Sequence, residues 1–160
     1  MKLPGIKTIQ KNCNIKIDTV ERFTRIYEFQ QLLEAKATSY IRPDLCLAAG
    51  ISGCKKISAM AESHHIKVIP HNPLSPISTA ACLQLDACIP NFALQEYTPT
   101  EKVPPKSDLI ENPITLDNGY LIVPEGPGLG ITLNEKTLTQ GETPKVLDTP
   151  IGFDGSVQDR

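Results

Sequence analysis

The chain has 160 residues, 16 Lys plus Arg against 18 Asp plus Glu, and a formal charge of −2. That balance excludes a basic, phosphate-seeking surface as the default, and aromatics at 5% with no Trp argue against base-stacking platforms. Apolar residues at 40% suffice for a core, but the length falls below the roughly 200 residues that a closed (β/α)8 barrel needs at minimum.

No run approaches the roughly 20 apolar residues of a membrane helix. The N-terminal Met1-Lys2-Leu3-Pro4-Gly5 lacks the apolar stretch of a secretory signal. The five cysteines form no C-x-x-C pair. Their odd number fits reduced thiols in a cytoplasmic protein better than a disulfide framework or a structural zinc site. Cys54, Cys82 and Cys88 fall in apolar helical patterns and are expected in the core.

Along the chain, residues 15–19 alternate as a short strand that runs into Glu21. Thr24 is a candidate cap for a helix through Ala35, with Phe29, Leu32 and Leu33 at helical spacing. Residues 39–42 read as a second strand closed by Pro43-Asp44. Residues 49–53 form a turn, and a helix then continues to about His65, burying Cys54, Ile57 and Ala61. Residues 66–69 make a third strand, stopped at Pro70 and followed by His71. Ser75 with Pro76 marks the next helix start, and Ile77, Ala81, Leu85 and Cys88 line one face before Pro90. Residues 92–95 make a fourth strand, with Glu96 just beyond. From Tyr97 onward the composition changes, since more than half of the 14 prolines lie at or beyond Pro99. Asn118-Gly119 signals a hairpin, residues 134–138 a single helical turn, and the whole stretch an extended wrap. The chain thus divides at residues 1–98 and 99–160.

Strands alternating with helices imply parallel βαβ units. Glu21, Asp44, His71 and Glu96 follow the four strands at intervals of about 25 residues. Parallel strands would bring all four out at one end of the sheet, where α/β active sites sit. Taken singly, each has an ordinary reading. Asp44 after Pro43 is also a turn aspartate, and His71 a polar loop residue. Glu21 beside Arg22 is also a surface ion pair, and Glu96 a solvated strand end. His64 and His65 suit a helix C-terminus, although three histidines within eight residues leave a metal alternative.

Glu21-Arg22 after a strand, Arg42-Pro43-Asp44-Leu45-Cys46 leading to Ala49-Gly50-Ile51, and Pro70-His71-Asn72-Pro73-Leu74-Ser75-Pro76 resemble the mandelate racemase/muconate lactonizing branch of the enolase superfamily. Pro90-Asn91-Phe92, Leu94-Gln95-Glu96, Gly119-Tyr120, Val123-Pro124, Pro127-Gly128-Leu129-Gly130-Ile131 and the terminal Asp154-Gly155-Ser156-Val157 extend the match over nearly the whole sequence. Within the branch, the resemblance is best to acid-sugar dehydratases of galactonate dehydratase type. It implies the C-terminal half of a modified (β/α)7β TIM barrel, about four strands, plus an extended C-terminal segment. The implied activity is a magnesium-dependent lyase. Such an enzyme removes a proton next to a carboxylate and then eliminates water to give a 2-keto-3-deoxy sugar acid.

By the same resemblance, Glu21 matches the third carboxylate ligand of Mg2+. Asp44 and His71 match an acid–base dyad, and Glu96 the carboxyl group at the enediolate end of the substrate. Two earlier ligand strands and the capping domain of the family have no counterpart here. The glycine that usually precedes the third ligand is Val20, and the paired glycines after the dyad aspartate are Ala49-Gly50. Three expectations follow: a C-terminal fragment inactive alone, an enzyme completed by a chain carrying the missing half, or a non-catalytic sugar-acid-binding or interaction remnant. In each the partner is a small sugar acid rather than nucleic acid or membrane. The open strand edges of a half barrel favour homo-oligomers or association.

Overall fold

In a computed structural model, residues 3–140 and 153–154 are described. Of the terminal motif 154–157, all but Asp154 lies outside these residues. Helix α1 (Leu3–Asn12) precedes three βα units: β1 (Asp18–Thr19), α2 (Ile26–Glu34), β2 (Tyr40–Ile41), α3 (Gly50–Ser63), β3 (Lys67–Val68) and α4 (Pro76–Asp86). The three strands are parallel and lie in sequence order, with Asp18 opposite Tyr40 and Tyr40 opposite Lys67. A parallel bridge from Val68 to Phe92 places the expected fourth strand next in line. Each crossover runs through a helix, as parallel pairing requires. The result is part of a barrel wall.

The ladders are shorter than the alternating patterns predict. Pro43 and Pro70 follow within two residues of β2 and β3 and have no N–H to continue them. Val20, directly after β1, turns out of extended geometry at φ 84°. Beyond these strands, among the described residues, pairing continues only as isolated bonds, such as Ile69 N–H to the Ile41 carbonyl at 3.0 Å.

The helices cover one face of the sheet. Phe29, Leu32 and Leu33 of α2 meet Ile41, Val68, Cys54, Ile57 and Ala61, and every one of these is almost wholly buried. Burial of each such Leu, Ile or Phe contributes roughly 2 kcal/mol. The caps differ in detail from expectation. Arg25, not Thr24, is the N-cap of α2, because Glu28 Oε2 reaches back to accept the N–H groups of Thr24 (3.0 Å) and Arg25 (2.9 Å). Helix α3 begins at Gly50, so the expected turn is its first turn, and Ala49 is a left-handed N-cap. It stops after Ser63: His65 takes φ 58°, and the Ile66 N–H donates to the Ala61 carbonyl (3.0 Å). His64 and His65 are therefore part of a helix-terminating turn.

Helix α4 ends at Asp86, short of Pro90, which leaves Cys88 exposed rather than in the core. Its burial is not confined to one stripe. Cys82 and Leu85 enter the main core, while Ala80 and Leu83 meet Ile114, Leu121, Leu129 and Ile131 of the C-terminal segment. That segment crosses α4 through two 3-10 turns (Pro99–Lys102 and Ser107–Leu109), a hairpin of β4 (Leu116–Asp117) and β5 (Tyr120–Leu121), and α5 (Glu135–Gln140). Asn118 and Gly119 both take positive φ, the turn geometry that the Asn-Gly pair favours. No helix among the described residues is long and apolar enough to cross a membrane.

Candidate active site

The ends of the parallel strands converge. Beyond β2 and β3 the chains stay paired through a bridge between Asp44 and His71, with the His71 N–H donating to the Pro43 carbonyl (3.1 Å). Asp44 is buried at 3% exposure. Its Oδ1 accepts the Cys46 N–H at 2.7 Å, and its Oδ2 lies 3.0 Å from His71 Nδ1. One oxygen of Asp44 closes its own turn and the other meets His71. An aspartate held this way accepts Nδ1–H and leaves the Nε2 lone pair free. Nε2 faces Glu96, 3.9 Å from its Oε2.

Glu96 is not a solvated strand end. Its Oε2 accepts from the Arg42 guanidinium at 2.6 Å and from the Asn72 backbone N–H at 2.8 Å. Burial alone would raise its pKa. The Arg42 hydrogen bond, the Asn72 N–H and the charges of Arg42 and His71 outweigh that and lower it below the usual glutamate range. Arg42 shows the complementary balance: burial opposes its charge, but Glu96, Asp18 and Glu21 raise its pKa further. Arg42 Nε is 3.5 Å from Asp18 Oδ2, a charge contact rather than a hydrogen bond.

Asn72 is fully buried and ties the site to the C-terminal segment. Its side-chain amide donates to Thr79 Oγ1 at 2.6 Å. That hydroxyl in turn lies 2.7 and 2.8 Å from the two carboxylate oxygens of Glu101, itself 5% exposed. Burial raises the Glu101 pKa, against opposing contributions from Thr79, Lys106 and Asn72.

Asp44, His71 and Glu96 are thus in one cluster, and Glu21 stands at its margin through its field on Arg42. Sequence reading did not single out Arg42, Asp18, Asn72 or Glu101. Arg42 was accessible to it, as the last residue of the expected 39–42 strand and two residues before Asp44. The other three answer to tertiary contacts alone.

A divalent ion fits poorly here. Among the described residues no three His, Cys, Asp or Glu side chains are grouped so that they could hold a metal. Moreover, Glu96 Oε2 is already engaged by the Arg42 guanidinium at 2.6 Å and by the Asn72 N–H at 2.8 Å. Magnesium sites draw on several oxygen ligands, and this cluster does not supply them.

The order of parallel strands is that of an α/β-barrel wall, and Asp44, His71 and Glu96 stand beyond the C-terminal ends of those strands. The chain belongs to the enolase C-terminal domain-like family, whose model matches residues 1–137. It is 41% identical over 123 residues to the D-galactonate dehydratase of Verminephrobacter eiseniae, a match covering 72% of this chain and 31% of that enzyme. The D-xylonate dehydratase of Haloferax volcanii is 35% identical over 141 residues, covering 86% and 34%. Among solved structures, an enolase from Agrobacterium radiobacter with bound Na and L-malate superposes with a TM-score of 0.85 at 28% identity, covering 98% of this chain and 43% of that one. The chain therefore spans about a third of the length of the curated relatives it matches.

Proposed function

We propose that this chain carries the acid–base portion of an acid-sugar dehydratase site, and that turnover requires oxygen ligands beyond those of the described residues. The observation that carries the reading is the 3.0 Å contact of Asp44 Oδ2 with His71 Nδ1, which leaves Nε2 directed at Glu96. In this reading neutral His71 takes the proton next to the substrate carboxylate at Nε2. The imidazolium so formed returns that proton to the departing hydroxyl, which leaves as water, and the product is a 2-keto-3-deoxy acid. Asp44 fixes the tautomer and stabilises the imidazolium.

In this reading Glu96 contacts the enediolate end of the substrate. Held as an anion by Arg42 and the Asn72 N–H, it accepts a hydrogen bond from a substrate hydroxyl and cannot donate one to an enediolate oxygen. Magnesium would supply charge stabilisation at the carboxylate, and Glu21 would be one of its ligands once others are provided. The substrate class is a sugar acid, supported by relatives that act on galactonate and xylonate.

Incubating the purified chain with D-galactonate, D-xylonate and Mg2+ tests this. No keto-acid product forms from the chain alone; a magnesium-dependent product abolished by His71→Ala would show that the site is complete without a partner.

A further inference from the structure

The peptide between His71 and Asn72 serves both halves of the acid–base cluster. Its carbonyl belongs to His71, and its N–H is donated to Glu96 Oε2 at 2.8 Å. What holds Asn72 lies farther from the site. Its side-chain amide donates to Thr79 Oγ1 at 2.6 Å, whereas its approach to the Glu96 carbonyl is long, at 3.5 Å. Pro73 follows and has no N–H to add.

Thr79 is wholly buried near the start of α4. Its hydroxyl has one proton and two lone pairs. Glu101, in the 3-10 turn Pro99–Lys102, brings both carboxyl oxygens to that hydroxyl at 2.7 and 2.8 Å, and the Ser75 carbonyl lies 3.2 Å away. With Glu101 ionised, Thr79 donates to the carboxylate. With Glu101 protonated, the acid donates to Thr79, and Thr79 donates to Ser75. In both states a lone pair stays on the Asn72 amide, so the anchor persists through the titration of Glu101. An apolar pair of the same size would pack α4 against the C-terminal segment without the cost of burying a carboxyl group. It could not accept the Asn72 N–H.

We propose that Thr79, clamped by Glu101, is a positioning residue: through the Asn72 side chain it sets the peptide N–H that holds Glu96 and fixes the backbone of His71. Its value to catalysis rests on the acid–base reading of His71 and Glu96. The experiment below reads ionisation rather than turnover, so either can fail without the other.

Glu96, faced by Arg42 and His71, titrates below the usual glutamate range, whereas Glu101, buried and faced by Lys106 and Tyr97, titrates above it. Glu101 is therefore uncharged where Glu96 ionises, and a change in the Glu96 midpoint reads position rather than the loss of a charge. That midpoint is followed by 13C NMR of the Glu96 carboxyl in the full chain and in Thr79→Val, Thr79→Ser, Glu101→Ala and Leu121→Ala. The last loosens the contact of the same segment with α4 but leaves Asn72, Thr79 and Glu101 in place. The midpoint rises in Thr79→Val and Glu101→Ala and keeps the parent value in Thr79→Ser and Leu121→Ala. An unchanged midpoint in Thr79→Val or Glu101→Ala, or an equal rise in Leu121→Ala, overturns the proposal. Thr79→Val and Glu101→Ala break one contact from opposite sides, so either decides the outcome if the other fails to fold. Where acid unfolding precedes the midpoint, hydrogen exchange of the Asn72 N–H at pH 7 takes its place. Exchange at least about tenfold faster in Thr79→Val than in Leu121→Ala supports the proposal, and equal rates overturn it.

Discussion

Asp44 and His71 face each other across a parallel bridge, and Asp44 Oδ2 lies 3.0 Å from His71 Nδ1 while Oδ1 holds the Cys46 N–H at 2.7 Å. One buried carboxylate therefore closes its own turn and orients a histidine on the next strand. The two tasks separate by mutation. Asp44→Asn keeps an acceptor for Cys46 but turns an NH2 group toward Nδ1, so the ring proton moves to Nε2. Histidine 15N shifts read this directly, with Nδ1–H in the parent chain and Nε2–H in the variant. Asp44→Ala strips both contacts and costs about 2 kcal/mol in denaturant unfolding, more than Asp44→Asn does.

Arg42 controls the ionisation of Glu96 through the 2.6 Å contact between them. Replacing Arg42 by Met removes the hydrogen bond and the positive charge together. The Glu96 titration midpoint, followed by 13C NMR of its carboxyl, then moves upward. The stability sign follows from the lowered pKa. The contribution of Glu96 is present above the unfolded glutamate pKa and is lost as pH falls through its lower folded value. Glu96→Gln consequently flattens the acid side of the stability profile.

Asp86 has the opposite sign. Its folded pKa of about 8 lies above that of the unfolded chain, because burial disfavours its charged form. Between those two values the folded state binds more protons, so this residue lowers stability as pH rises from about 4 to about 8. Asp86→Asn removes that penalty. Its melting temperature exceeds the parent's by more at pH 8 than at pH 5, and a constant difference would refute the assignment.

Ala49 at φ 64° and Val20 at φ 84° are two of the five described non-glycine residues in backbone geometry that glycine adopts more readily. Ala49 is exposed, so Ala49→Gly loses little packing and stabilises the chain by about 1 kcal/mol in denaturant unfolding. Val20 is fully buried, so both truncations destabilise by loss of contacts. Here the usual order reverses: Val20→Gly is more stable than Val20→Ala, because only glycine relieves the positive φ.

The parts of this site that a sequence reveals are those tied to chain direction. Strand–helix alternation dictates that Asp44, His71 and Glu96 emerge at one end, and the bridge and distances bear this out. Side chains whose partners come from elsewhere in the fold leave no such trace. Arg42 reads as one more surface cation until three carboxylates are found around it. Asp86 hides inside a helical pattern extended to Pro90; only the helix end at Asp86 exposes its unfavourable position. The φ of Val20 has no signature in a β-branched residue that reads as the continuation of a strand. Cys88 illustrates the reverse error, because apolar spacing persisted after the helix had stopped.

The central claim is that this chain holds an acid–base pair awaiting ligands from elsewhere. The direct measurement is complementation. The chain is co-expressed with the portion of the Verminephrobacter eiseniae D-galactonate dehydratase that precedes the matched stretch, and the purified mixture is assayed with D-galactonate and Mg2+. The account predicts 2-keto-3-deoxy acid from the pair, none from either part alone, and none from a pair carrying His71→Ala. Equal turnover with His71→Ala, or turnover by the 160-residue chain alone, would contradict it.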